Sequence, residues 1–273
     1  MNNFSMFCLS MEPKHLEIIK KLDYLPVGLG NKNFSSEWFS DNTKKNISDK
    51  NKYYGEYTFH YWLWNNYLDK LKNEWIGFCQ YRKFWSMHNN RTQPTSLAEL
   101  ESLVLNNIPE SFNKYDVILG EESFTNKFKL MKFLKRGPKT IIKNPLTLIS
   151  KKRRNIKFHF DIWHGSKYME KAIKLLEKGD RNDFNDFVNL KVSFNPHNMF
   201  ICNSKNILED YYNIVFPWLE RCEKSFGFEA LSGYGQTRIY GFLAERFMSY
   251  WFQKNTKFTT MPIVYYDIGE FHI

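Results

Sequence analysis

The chain has 273 residues, of which 42% are hydrophobic and 25% charged, enough apolar material for one sizeable core and an ordinary charge share that excludes global disorder. No apolar run nears the ~18 residues of a membrane-spanning helix, and the first ten residues have no basic start and too short an apolar stretch for a secretory signal. Cys8, Cys79, Cys202 and Cys222 lie far apart with no Cys-x-x-Cys pair, so the expectation is reduced thiols in a cytoplasmic protein with no cysteine zinc site.

In chain order, Phe4 to Ser10 predicts a strand, and Pro13 opens a helix that runs to Lys21. Tyr24 to Gly30 reads as a second short strand and turn, and the Asn-rich stretch from 31 to 52 as loop. Tyr57, Tyr61, Trp64 and Leu68 recur at three- and four-residue steps and predict an aromatic helix over 53–71. Strands follow at 74–79 and 115–119, with a helix over 97–107 between them. Helices over 167–178, 207–224 and 236–252 flank a further strand at 198–202. Short strands separated by helices predict an α/β three-layer domain spanning 1–273. In such sheets ligands bind beyond the carboxyl ends of the strands, so the residues that follow each strand are the candidates for chemistry.

Charge is localised. Twelve Lys and Arg and no Asp or Glu lie between Lys127 and Lys157, leaving 27 basic against 29 acidic residues elsewhere. Apolar residues interleave with them (Phe128, Leu130, Met131, Phe133, Leu134, Ile141, Ile142, Leu146, Leu148, Ile149). A basic, partly apolar segment suits an anionic membrane surface or the phosphates of a lipid-linked ligand. Nucleic acid is a lesser alternative, and a solvated Lys-rich loop another.

After the first strand come Lys14 and His15; after the 74–79 strand come Gln80, Tyr81, Arg82 and Lys83; after the 115–119 strand come Glu121 and Glu122; and His197 and Asn198 precede Met199. Around these positions stand several distinctive blocks: Asp41-Asn-Thr-Lys-Lys-Asn-Ile-Ser48, Tyr54-Gly-Glu-Tyr-Thr-Phe-His-Tyr-Trp-Leu-Trp-Asn65, Ile76-Gly-Phe-Cys-Gln-Tyr-Arg-Lys-Phe84, His197-Asn-Met-Phe-Ile201 and Arg238-Ile-Tyr-Gly-Phe-Leu-Ala-Glu-Arg246. Together they resemble a bacterial surface-polysaccharide glycosyltransferase family, long catalogued as a domain of unknown function, that includes galactofuranosyltransferases. The resemblance runs from about Pro13 to Pro262. Gln80 stands where the family usually carries His, and Lys83 where it usually carries a second Arg.

The resemblance implies an A-type glycosyltransferase-like, Rossmann-like fold, in which the charge pattern marks 127–157 as a basic, helical insertion. It also implies a UDP-sugar donor, galactofuranose for preference, and a glycan or lipid-linked glycan acceptor in capsule or lipopolysaccharide synthesis. With UDP-galactofuranose as donor the same likeness implies inversion at the anomeric carbon, and the basic 127–157 segment would hold the enzyme at the inner face of the membrane or meet the acceptor diphosphate. A-type enzymes hold a divalent metal with Asp-x-Asp, and the equivalent place here reads Gln80-Tyr81-Arg82-Lys83. The expectation is therefore no metal and no cofactor, with Arg82, Lys83 and Arg238 neutralising the diphosphate, since Arg binds phosphate bidentately and Lys is a compact charge. Lys14 and His15 fall where A-type folds place the uridine. Asn46, Ser48 and Asn51 suit uracil or ribose, or a turn that satisfies its own backbone. Glu56, Gln80, Tyr81, His197 and Asn198 are candidates for ribose, sugar or diphosphate contacts. The general base for the acceptor hydroxyl is expected among Glu229, Glu245 and Glu122, in that order, with an ion pair of Glu245 to Arg238 or Arg246 as the structural alternative. Two other functions stay open: a basic protein that binds nucleic acid or an anionic polymer, and a catalytically inactive relative.

Overall fold

The computed structural model describes residues 4–72, 75–88, 93–127, 141–142, 145–147 and 149–270. Its centre is a nine-stranded sheet. Strand β1 (Phe4–Ser10) lies between β2 (Leu25–Gly28) and β4 (Trp75–Gln80), parallel to both, with Phe7 opposite Leu25 and Leu9 opposite Gln80. Beyond β2 runs the two-residue β3 (Phe39–Ser40), also parallel. On the other side β9 (Phe200–Cys202) is antiparallel to both β4 and β6 (Val117–Gly120), and β10 (Phe258–Met261) closes that edge parallel to β6. Short β5 (Lys83–Trp85) folds back on β4 and pairs with β11 (Ile263–Tyr265). A separate ribbon joins β7 (Ser123–Phe124) to β8 (Ser193–Phe194).

Strand alternation builds two cores. Phe7, Leu9, Ile76, Phe78, Leu119 and Phe200 face one side, where they meet α3 (Tyr57–Asn66), α8 (Lys205–Phe226) and α10 (Ile239–Asn255). Met6, Cys8, Cys79, Ile118 and Ile201 face the other, against α1 (Leu16–Lys21) and α4 (Leu97–Leu103). The remaining helices are α2 (Asn51–Tyr54), α5 (Ile156–His164), α6 (Tyr168–Lys174), α7 (Lys178–Leu190) and α9 (Gly233–Thr237). All four cysteines are buried and free. Among the described residues no helix is long and apolar enough to cross a membrane.

The three-layer expectation holds, with the strands at β1, β2, β4, β6 and β9 and most helices where the pattern placed them. The aromatic helix differs. It is broken at Gly55, whose φ of 60° is open to glycine, and a side chain there would overlap the Arg238 guanidinium. Helices α5 and α7 and strands β3, β5, β7, β8, β10 and β11 were not anticipated. The basic segment is described only in part. Residues 128–140, 143–144 and 148, with six of its twelve cations, lie outside the described residues. Of the rest, Ile142, Leu146, Ile149, Lys151, Lys152 and Arg153 are exposed, while Arg154 is buried and donates to the Thr147 carbonyl.

Candidate functional site

Because β9 runs against its neighbours, the turn that enters it lies at the same edge as the carboxyl ends of β4 and β6. That turn holds two consecutive left-handed residues, His197 (φ 80°) and Asn198 (φ 53°). Such conformations cost of order 1–3 kcal/mol each outside glycine, and they persist where surrounding contacts over-determine them. The contacts are present. The His197 N–H donates to Glu245 Oε1 at 2.6 Å, Gln80 Nε2 donates to the His197 carbonyl at 2.8 Å, and His197 Nε2 meets the Tyr265 hydroxyl at 2.6 Å. Asn198 Nδ2 reaches the Gly241 carbonyl at 3.3 Å.

Gln80 also accepts from Lys83 Nζ at 3.0 Å, so one amide ties the lysine to the turn. Burial pushes the Lys83 ammonium down; Glu56 and Glu245 oppose that shift, and Arg238 and Arg82 add to it. These charges therefore share one field. Arg238 pairs with Glu56 at 3.4 Å across the Gly55 break. Burial, with Lys83 and Arg246 nearby, pushes His197 down to about 3, so its imidazole is neutral at pH 7.

Glu245 does not project as a free carboxylate. It is buried, one oxygen on the His197 amide and the other on the buried Arg246, whose guanidinium lies 4.4 Å from the Phe194 ring centroid. Of the two ion pairs anticipated for Glu245, the structure forms that with Arg246, while Arg238 turns to Glu56. Glu229 is exposed on the connection between α8 and α9, apart from this cluster. Glu122, also exposed, lines a cavity of about 290 Å³ with Glu121, Pro196, His197 and Tyr265. A neighbouring cavity of about 340 Å³ shares Glu121 and Glu122 and reaches Lys127, where the basic segment begins.

A second cluster sits at the end of β1. Ser10 Oγ bonds His15 Nδ1 at 2.7 Å, and the buried His15 ring lies 5.1 Å from that of Tyr81. Arg82 stacks on Tyr81 and pairs with Asp267. Lys14 Nζ donates to the Gly269 carbonyl at 3.3 Å. Sequence reasoning missed Tyr265 and Asp267, because the strand that ends at Tyr265 is three residues long and follows a proline, and Asp267 lies two residues beyond it.

The structure does not bring Asn46 or Ser48 into either cluster. Ser48 donates to Asn46 Oδ1 at 2.9 Å and Asn46 to the Lys44 carbonyl, the self-satisfied turn. Asn51 donates to the Gly55 carbonyl and to Thr58 Oγ1, which in turn donates to Asp41, a carboxylate that burial pushes up.

The run Gln80-Tyr81-Arg82-Lys83 at the end of β4 carries no carboxylate. The side chains that follow the strand are cations, and the nearby carboxylates Glu56, Glu245 and Asp267 are each committed to a guanidinium. Among the described residues no group of three or more His, Cys, Asp or Glu gathers as metal ligands.

The strand order and the helices on both faces give a Rossmann-like α/β fold. In agreement, the chain is similar to a solved structure described as the apo form of WbbM, a bifunctional glycosyltransferase, with a TM-score of 0.68 and 18% identity, over 97% of this chain and 45% of that one. The chain thus spans less than half the length of that protein. Residues 9–256 match a family described as a domain of unknown function, DUF4422, and the chain belongs to it. No curated protein matches the chain.

Proposed function

We propose that this protein transfers a sugar from a UDP-sugar donor to a glycan acceptor in surface-polysaccharide synthesis, with galactofuranose as the family-implied sugar. The observation that carries this reading is the convergence of Lys83, Arg82 and Arg238 at the carboxyl edge of a glycosyltransferase-type sheet. Two partly desolvated cations, Lys83 and Arg238, with the more exposed Arg82 beside them suit a leaving diphosphate, whose charge grows as the anomeric bond breaks. In an inverting displacement, a base takes the acceptor hydroxyl proton, the acceptor oxygen bonds the anomeric carbon, and the electron pair of the breaking bond leaves with UDP. Glu122, exposed and beside the His197 cavity, is the base we favour over Glu229 and Glu245. Gln80 supplies one donor and one acceptor, the same pair that a neutral His offers, which supports an active enzyme. Lys14 and His15 would meet the uridine side of the donor.

We also propose that the acceptor is lipid-linked and that the enzyme works at the cytoplasmic face of a membrane. Exposed Ile142, Leu146 and Ile149 beside Lys151, Lys152 and Arg153 support that placement. Vesicles containing anionic lipid should sediment the protein, and neutral vesicles should not.

The decisive test is thermal unfolding with UDP, UMP and GDP, each with and without EDTA. Ligand at 100 times its dissociation constant stabilises by about 2.7 kcal/mol. The expected result is a UDP-selective shift unchanged by EDTA, followed by sugar transfer from UDP-galactofuranose. A strict manganese requirement would overturn the metal-free mechanism, and no nucleotide shift at millimolar concentrations would overturn the donor class.

A further inference from the structure

The segment that follows β11 crosses the second cluster. It runs antiparallel past the β4–β5 hairpin, with the Tyr266 N–H on the Arg82 carbonyl and the Ile268 N–H on the Tyr81 carbonyl, both at 3.2 Å. The buried side chains of Tyr266 and Ile268 anchor it in the β1–α1 core. Between those anchors the Asp267 carboxylate projects onto Arg82, and a turn follows in which the Gly269 N–H returns to Asp267 Oδ1 at 2.9 Å and the Glu270 N–H to the Asp267 carbonyl. Gly269 then lies over His15, whose Nε2 is buried without a hydrogen-bond partner. A Cβ on Gly269 would stand 2.8 Å from that Nε2 and 3.1 Å from Asp267 Oδ1, so the close fit depends on glycine.

The same three side chains that the donor reading assigns to UDP, namely Lys14, His15 and Arg82, are thus the ones this turn occupies. One Asp267 oxygen on the Arg82 Nε, with the other on the Gly269 N–H, puts an anionic oxygen where a phosphate oxygen would meet the guanidinium. We propose that residues 267–269 are an internal stand-in for the donor diphosphate: the Asp267 carboxylate holds Arg82 until a nucleoside diphosphate displaces it, and the turn over His15 loosens as it does. This inference rests on the UDP-donor reading. The pair is built for exchange, since Arg82 is 58% exposed while Asp267 is mostly covered. When the pair opens, the guanidinium is already in water and the carboxylate keeps the Gly269 N–H, so its competition lowers apparent donor affinity by up to about fivefold.

The test uses the full chain and two variants with different chemistry, Asp267→Asn, which removes the charge, and Gly269→Ala, which pushes the turn off His15 without changing charge. UDP and uridine are titrated calorimetrically, and backbone hydrogen exchange is followed at Gly269 and Glu270. The proposal expects both variants to bind UDP about three- to fivefold more tightly, uridine binding to change little with Asp267→Asn, and UDP to speed exchange of the two amides in the wild type. Wild-type binding of UDP with no gain in either variant, or slower exchange at Gly269 and Glu270, overturns it; slower exchange would mean that the turn closes on the donor. Failure of wild type and both variants to bind UDP removes the donor reading itself.

Discussion

Arg246 and Arg82 each pair with a carboxylate at the same edge of the sheet, yet the two pairs are built differently. Arg246 is almost fully buried among Phe160, Phe194 and Phe242, and its partner Glu245 also grips the His197 amide. Arg82 is mostly exposed, on a hairpin end, and its partner comes from a turn held by backbone bonds and one glycine. A buried pair is costly to break because the survivor is left charged and unsolvated; an exposed pair exchanges partners at little cost. The contrast separates a part of the site that must stay fixed from a part that can trade one anion for another.

Glu245→Ala should break the comparison most severely. It strands the Arg246 charge and frees the His197 turn, and stability should fall by about 3–5 kcal/mol, read as a lower urea midpoint with unchanged slope. A loss below about 1 kcal/mol would mean that the turn is not held from beneath. Lys83→Ala should leave folding largely intact but reduce transfer by about 10²–10³-fold in turnover, the usual cost of one preorganised charge-stabilising group. An intact rate would remove Lys83 from the leaving-group site.

The pH dependence sharpens the contrast further. His60, His159 and His197 are all pushed down to about 3 by burial, against an ordinary value near 6.5. Below pH 6.5 the unfolded chain therefore binds more protons than the folded one, and stability falls as pH drops toward 3. Each such imidazole adds a slope of about 1.4 kcal/mol per pH unit. Denaturant unfolding between pH 7 and 4.5 should show this, and His197→Asn should remove one proton from the slope. An unchanged slope would place His197 in solvent. The smallest effect is expected at the exchangeable pair: Arg82→Ala should change stability by less than about 1 kcal/mol while weakening UDP binding in the same calorimetric titration.

Much of this fold was legible because its main strands carry unbroken apolar runs between turn residues. Phe4–Ser10 was bounded correctly from such a run alone. Strands of two or three residues, such as Phe39–Ser40 and Ile263–Tyr265, are too short for alternation to register, and their pairing comes from neighbours distant in sequence. The site divided in the same way. Arg82, Lys83, His197 and Asn198 could be nominated because each stands next to a recognisable strand. Asp267 and Tyr265 could not, since only tertiary folding brings them to the β4–β5 hairpin. Glu245 was seen as a carboxylate on a late helix, but the sequence carries no sign that its oxygens point inward to an amide and a guanidinium. Asn46 and Ser48 show the reverse case, a polar turn whose groups bond to each other.

The reversed strand β9 has a consequence for how this site can vary. Phe200 and Cys202 enter one core, and Met199 and Ile201 the other. A one-residue slip of β9 against β4 and β6 would exchange the two sets and put each side chain into the wrong layer. The register of β9 is thereby fixed, and any change of length in the loop that presents His197 has to be taken up between the buried Asn195, whose side chain donates to the Gly120 carbonyl, and the buried Met199. Substitution at His197 or Asn198 changes what this turn presents at the sheet edge without disturbing that register.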